Sequence, residues 1–248
     1  MRPLKYLTYE VMQLVQISNS SGSLFLTRSM STNSKPILYS YWSSSCAWRV
    51  RIALAIKKIE YEIKPTSLLR TVSGHAYTDE YRKVNPLQKV PSLKIDGLTL
   101  CDSVAIMHYL EETRPQPALL PLKPANRAKV REIVELICSG IQPLQNIPVQ
   151  ELVGKDQGLK WAQHWITHGF KGMEQVISQS AGKFCVGDEL TMADLCLVPQ
   201  VRNAIRFKVD LGPYPNIVRL NQELQLLNAF KTTHPSTQPD CPPEFRNK

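Results

Sequence analysis

The chain has 248 residues, 43% of them hydrophobic, and 30 Lys and Arg against 21 Asp and Glu give a formal net charge of +9. That length and apolar content fit a globular protein of one large or two ordinary domains. The basic residues are dispersed and no nucleic-acid signature interleaves them with aromatics, which sets nucleic acid aside, and no apolar run reaches the roughly 18 residues needed to span a bilayer, so a soluble chain is expected.

Residues 1–34 carry Arg2, Lys5 and Arg28 against Glu10, with seven serines from Ser18 to Ser34. They read as a mitochondrial-type leader or as a disordered extension ahead of an internal start at Met30. From Pro36 the pattern tightens. "PILYSY" predicts a short strand, residues 47–58 a helix and "YEIKPTSL" a second strand, together one βαβ unit with a parallel pair. In that helix Val50, Ala53 and Leu54 share an apolar face, and Lys57 and Lys58 suit the negative end of the dipole.

An irregular stretch ending at Asn85-Pro86 follows. "VPSLKIDGLTLC" then predicts a hairpin turning at Asp96-Gly97, and Asp102-Ser103 opens the helix "VAIMHYLEE". The run "TRPQPALLPLKP" reads as a linker, because Pro115, Pro117, Pro121 and Pro124 break regular structure. Helical periodicity then holds from about Asn126 to Phe230. Ile133, Val134 and Ile137 line one helix, and Leu159, Ala162, Trp165, Ile166, Phe170 and Met173 line another. In "LTMADLCLVPQV" Thr191 and Asp194 have the spacing of a capping box, a folding signal rather than a site. The Pro-rich segment from His234 is expected to be loosely held. The organisation is thus an extension at 1–34, a βαβ-ββα domain at 35–114, a linker at 115–124, an all-helical domain at 125–233 and a tail at 234–248: α/β plus all-α.

The six cysteines (46, 101, 138, 185, 196 and 241) form no C-x-x-C and no zinc spacing, which suggests free thiols in a reducing compartment and no metal site. Cys46 stands apart, because "SSSC" precedes a helix. Unpaired N–H groups and the dipole make a helix N-terminus an anion site, and the anion served there can be a thiolate, since such surroundings lower a thiol pKa from about 8.5. Pro91, at the start of a strand, is a candidate cis-proline that would turn the Val90 backbone toward an extended ligand. Asp102 offers a carboxylate for an ammonium group, and Ser103 a hydroxyl for a carboxylate. One glutathione molecule satisfies that list.

The order βαβ, Val-Pro, ββ, Asp-Ser, Pro-rich linker and helical domain resembles a cytosolic glutathione transferase with a thioredoxin-like N-terminal domain. "SSCAWRVRIAL" looks like the signature of the zeta class, whose members act as maleylacetoacetate isomerases. "KVPSLKIDG", "YLEETRP", "GIQPLQN", "CVGDELTMADLCLVPQV" and "RFKVDLGPYP" are similar to that class as well, so the likeness runs from about Lys35 to Pro239. It implies Ser44, Ser45, Cys46 and Arg49 around the glutathione thiol, Val90 on its backbone, and Asp102 and Ser103 on its γ-glutamyl end. Gln142 and Asn146 would close the cleft, and Arg206 would hold a substrate carboxylate. The family often has a glutamine where Asp102 stands, and the loop near His75 differs in length.

The implied activity is cis-trans isomerisation of maleylacetoacetate to fumarylacetoacetate in phenylalanine and tyrosine catabolism, with accessory transferase activity, in a cytoplasmic homodimer acting on a small acidic substrate, or in mitochondria if the extension is a leader. Plainer readings stand beside these. Ser44 and Ser45 would serve equally as N-cap residues, Cys46 as an inert thiol, Arg49 and Arg206 as solvated charges, and Gln142 and Asn146 as turn residues around Pro143. The rival functions are a general or haloacid-processing transferase, a mixed-disulfide redox enzyme and a non-catalytic glutathione-binding module.

Overall fold

The computed structural model describes residues 34–68 and 75–246. The leader or extension expected at the N-terminus falls, but for its last residue, outside the described residues. Four strands form one mixed sheet in the order β2-β1-β3-β4. β1 (Ile37–Ser40) pairs in parallel with β2 (Glu62–Pro65) and antiparallel with β3 (Ser92–Ile95), which in turn runs antiparallel to β4 (Leu98–Cys101). The second strand is shorter than its sequence pattern because its partner ends: the last bond runs from the Thr66 N–H to the Ser40 carbonyl. The β3–β4 turn has positive φ at Asp96 (53°) and Gly97 (78°), the pairing that a type I′ turn requires.

Helix α1 (Ser45–Ile56) begins two residues before the predicted start, because the Ser44 hydroxyl caps it by accepting from the Ala47 N–H at 3.2 Å. It is not the one-faced helix of the sequence reading. Every residue from Ala47 to Leu54 is buried, Arg49 and Arg51 included. The cause is packing on both sides: α1 shares one core cluster with Leu38 and Leu93 of the sheet and with Leu195 and Val198 of helix α7 (Met192–Arg206). Full burial of a side chain such as Leu54 contributes about 1.5–3 kcal/mol.

Lys57 is a second departure. Its ammonium leaves the end of α1 and pairs with buried Glu111 at 2.8 Å, donating also to the carbonyls of Arg114 (2.7 Å) and Pro117 (2.9 Å). Glu111 in turn accepts from the N–H groups of Leu119 and Leu120. This network ties α1, helix α3 (Ser103–Thr113) and the Pro-rich segment together. The stretch read as irregular contains one short helix, α2 (Asp79–Val84), capped by Thr78 and carrying Asp79 and Glu80 in its first turn.

The remaining elements are helical: α4 (Pro124–Glu135), a wide π turn (Leu136–Ile141), a 3₁₀ turn (Gln142–Gln145), α5 (Ile147–Val153), α6 (Lys155–Ser180), α7, α8 (Pro215–Gln225) and α9 (Asn228–Thr232). The last proline of the Pro-rich run begins α4, where its missing N–H costs nothing. Gly169 of α6 lets the π turn approach closely, since a Cβ there would clash with the Ile141 side chain. Asp194 accepts from the Thr191 N–H (2.7 Å) and hydroxyl (3.0 Å), as the capping-box spacing predicts, and also from the distant Cys185 N–H (2.8 Å). The architecture is a thioredoxin-like α/β part followed by an all-helical part. Among the described residues no helix is long and apolar enough to cross a membrane.

The segment after His234 is not loose. Cys241 and Pro235 are buried, the Asp240 carboxylate accepts from the Trp42 N–H at 2.8 Å, and Phe245 stacks on Trp42 with ring centroids 5.3 Å apart. Prolines signal a lack of regular structure, which is a different property from a lack of packing.

Candidate active site

The loop between β1 and α1 is held from beneath. Arg51, one turn and a half inside the helix, donates to the Ser40 hydroxyl (2.9 Å) and to the carbonyls of Tyr41 (3.4 Å), Trp42 (3.2 Å) and Thr233 (3.3 Å). Burial pushes its pKa down to about 10, so the guanidinium is still charged at neutral pH. Ser44 closes the loop through its N–H to the Tyr41 carbonyl at 3.0 Å. The first hydrogen bond of α1 runs from the Trp48 N–H to the Ser44 carbonyl, so the N–H groups of Ser45 and Cys46 precede it. The Ser44 oxygen accepts from Ala47, and among the described residues its own proton has no acceptor.

Ser44 and Ser45 open onto a cleft whose far wall comes from the helical part. Of the residues read from the sequence, Gln142, Asn146 and Arg206 lie on that wall. Gln145, Asn203 and Phe207 on that wall, and Tyr41 on the Ser44 side, line the cleft too and were not read from the sequence. Asn203 and Arg206 are three apart on α7 and share a face. Gln145 is fixed by a reciprocal amide pair with Gln200, at 3.1 and 2.9 Å. Asn146 caps α5 by accepting from the Ile147 N–H at 3.0 Å. Among the described residues no Asp or Glu lines the cleft.

The other sequence candidates lie elsewhere. Arg49 is beneath the surface, donating to the Ser103 hydroxyl at 3.2 Å, with its Nε and second Nη unpartnered. Burial opposes its charge, but Cys46, Cys138, Cys196 and Asp102 around it outweigh that effect and raise its pKa. It ties α1 to the start of α3. The Cys46 thiol is half-buried, and burial raises its pKa; Arg49 and the Ser45 hydroxyl oppose this only in part. Cys46 is a protonated thiol at neutral pH.

Val90-Pro91 is a cis peptide, and Val90 precedes the ladder, which starts at Ser92. Tyr81 and Asn85 fix this corner by donating to the Lys89 carbonyl at 2.6 and 2.7 Å, contacts that no local pattern announces. Asp102 is exposed, with φ 76°, and accepts from the Val104 (2.8 Å) and Ala105 (3.2 Å) N–H groups through Oδ1 alone. Its Oδ2 remains available. Ser103 is buried, and its hydroxyl oxygen accepts from Arg49. His75 lies in a short 3₁₀ turn next to residues outside the description. Among the described residues no cluster of His, Cys, Asp and Glu suits a metal ion.

Comparison with known proteins identifies the family. The family model "Glutathione S-transferase, N-terminal domain" matches residues 38–118, and "Glutathione S-transferase, C-terminal domain" matches residues 153–231. The chain is 74% identical to "Probable maleylacetoacetate isomerase 1" of Drosophila melanogaster over 98% of each chain. It is 58% identical to the maleylacetoacetate isomerase of Mus musculus, covering 86% of this chain and 98% of that one. A solved maleylacetoacetate isomerase from Anaeromyxobacter dehalogenans, with GSH bound in its active site, superposes with a TM-score of 0.76 at 41% identity, over 84% of this chain and 98% of that one. A maleyl pyruvate isomerase described as a bacterial glutathione S-transferase in the zeta class superposes with a TM-score of 0.79 at 34% identity, over 83% and 100%. With both halves of the fold matched and its relatives aligned along nearly their whole length, the chain belongs to the glutathione S-transferase family, in the zeta class of maleylacetoacetate isomerases.

Proposed function

We propose that the protein is a glutathione-dependent maleylacetoacetate isomerase that converts the cis substrate to fumarylacetoacetate. The observation that carries this reading is a cleft with the Ser44 hydroxyl and the N-terminus of α1 on one wall, Arg206 on the other, and, among the described residues, no carboxylate between them. Two anions, a thiolate and a dicarboxylate, are what such a cleft favours.

The residues present fit glutathione. The uncommitted Ser44 proton and the first N–H groups of α1 suit its sulfur, the cleft amides Gln142 and Asn146 suit a peptide, and Asp102 Oδ2 suits an ammonium group. When bound, glutathione supplies a thiol that adds to the substrate alkene, allows rotation about the former double bond, and leaves again.

The protein's part is electrostatic and positional. Ser44 and the end of α1 keep negative charge at one place through fixed donors. Arg206 orients a substrate carboxylate by a charge-assisted pair, and Phe207 and Tyr41 keep water from the centre of the cleft. Arg49 and Arg51 touch no reactant in this scheme; they hold α3 and the loop in register. Cys46, held as a thiol, touches no reactant either.

The test is stoichiometric. Substoichiometric glutathione should drive complete conversion of maleylacetoacetate with total free thiol unchanged. Loss of thiol one for one with substrate would replace the isomerase by a conjugating transferase. The family relationship supports a cytoplasmic homodimer as well, for which a sedimentation mass near twice the chain's 28.1 kDa is expected. Localising the full chain beside a version starting at Met30 tests the leader; identical distributions would remove it.

A further inference from the structure

Two thiols that the isomerase reading does not use touch each other. Cys138 in the π turn donates to the Cys196 sulfur of α7 at 3.8 Å. Cys196 is fully buried and Cys138 half-buried, so a small oxidant meets Cys138 first.

Their surroundings favour closing the contact into a bond. Buried Arg49 stands beside both sulfurs with its Nε and second Nη unpartnered, and a cation with idle donors stabilises an anionic sulfur. The Cys138 end can yield. It lies in a π turn, a geometry that recurs at functional sites, and a Cβ added at Gly140 in the same turn would meet open space. A disulfide needs about 2.05 Å between its sulfurs, a closure that rotation of the two side chains and a small shift of the turn supply. The contact with Cys196, and after it burial, raises the Cys138 pKa, while Arg49 opposes them, so the pair rests as two thiols and closes only under excess oxidant.

We propose that Cys138 and Cys196 form a reversible oxidation site, at which a hydroperoxide converts the pair to a disulfide that fastens the π turn to α7. The Cys138 sulfur gives up its proton and attacks one peroxide oxygen; the O–O bond breaks, and the leaving hydroxide takes a proton to become water. The Cys196 sulfur then attacks the sulfenic sulfur of Cys138, and hydroxide leaves with the Cys196 proton as a second water. Two thiols lose two electrons, and one hydrogen peroxide becomes two waters. Cys196 is four residues from Gln200 on α7, and the π turn leads into Gln145, so the new bond reinforces the tie that the Gln145–Gln200 amide pair already makes. The proposal uses neither Ser44 nor Cys46 and does not depend on the isomerase reading.

The test treats the full chain with excess hydrogen peroxide at neutral pH, alkylates the remaining thiols in denaturant, and maps the digest by mass spectrometry. The expected product has lost two hydrogens and two alkylation sites per chain, yields one linked peptide pair holding Cys138 and Cys196, and returns to the starting mass with dithiothreitol. Its Tm should rise by several degrees, because the link constrains the unfolded chain. Cys138→Ala and Cys196→Ala should each abolish the linked pair and the Tm rise, and Cys46→Ala should leave both. If circular dichroism shows Cys196→Ala unfolded, the peptide map and Cys138→Ala decide. A link from Cys46 to Cys138, a disulfide between two chains, sulfinic acid at Cys138 with no link, or six thiols still open to alkylation would overturn the proposal.

Discussion

Ser44 and Cys46 are two residues apart at one helix end, and their environments assign them different parts. The Ser44 oxygen is fixed by the Ala47 N–H while its proton has no acceptor among the described residues, whereas burial keeps the Cys46 proton in place. Ser44→Ala should therefore lower kcat/KM about 10²–10³-fold, the cost of a lost oxyanion-type donor. Cys46→Ala should lower it less than tenfold. The Ser44 variant also loses its cap, about 1 kcal/mol, so the kinetics belong below the midpoint of a parallel thermal melt. Equal losses in the two variants would favour a mixed-disulfide route through Cys46. Arg206 is exposed at the end of α7, so Arg206→Met should leave the fold intact and raise KM for the dicarboxylate roughly tenfold more than for a neutral acceptor, the signature of lost binding. A KM ratio of one would place the substrate carboxylate elsewhere.

Elements announced themselves in the sequence where their cause is local. The β3–β4 hairpin follows from Asp96-Gly97 and the start of α7 from Thr191 and Asp194, because turn and cap chemistry act over two to four residues. Lys57 read as a dipole partner because its true partner, Glu111, is 54 residues away. Asp96 has a second function that the turn signal hides: its carboxylate accepts from Arg114 at 2.9 and 2.8 Å and from the Tyr109 hydroxyl at 2.7 Å, fastening the hairpin to the end of α3. The hydrogen bond from Arg114, then that from Tyr109, lowers the Asp96 pKa below its ordinary 3.8. A carboxyl with a depressed folded pKa contributes stability above its unfolded pKa and loses it as pH falls through the folded one. Asp96→Asn tolerates the same positive φ and should cost about 0.5–1 kcal/mol at pH 7, this being a half-exposed pair. In urea melts the deficit should shrink below about pH 4 and vanish near pH 2. A deficit constant across that range would show that the packing of Asp96, not its charge, matters.

At the scale of the whole molecule, the order of elements and half of the candidate site were legible, and the missing half has one cause. Ser44 and Ser45 stand in the motif itself, and Gln142, Asn146 and Arg206 came through likeness to a family. Arg49 reads from the family likeness as a residue at the glutathione thiol, with a solvated helix charge as the plainer reading, and Arg51 draws no reading at all, because a sequence does not show that α1 is enclosed on both sides. Nor does it show that the C-terminal segment returns to the loop between β1 and α1, where the bond from Trp42 to Asp240 spans 198 residues. That return makes the last prediction. Asp240 accepts the Trp42 N–H, Phe245 covers the Trp42 ring, and Arg51 binds Thr233 and the loop carbonyls together, so residues 235–246 and the loop at 41–44 are one packed unit. Asp240→Ala removes a charge-assisted acceptor worth about 1.5–3 kcal/mol and should lower Tm and kcat/KM together. Asp240→Asn keeps an acceptor oxygen and should recover part of both. Ending the chain at His234 removes the ring contact as well, so it should cost more than Asp240→Ala and expose Trp42, seen as a red-shifted emission absent from Trp42→Phe. A truncated chain with unchanged Tm and full activity would mean that the loop is held by Arg51 alone.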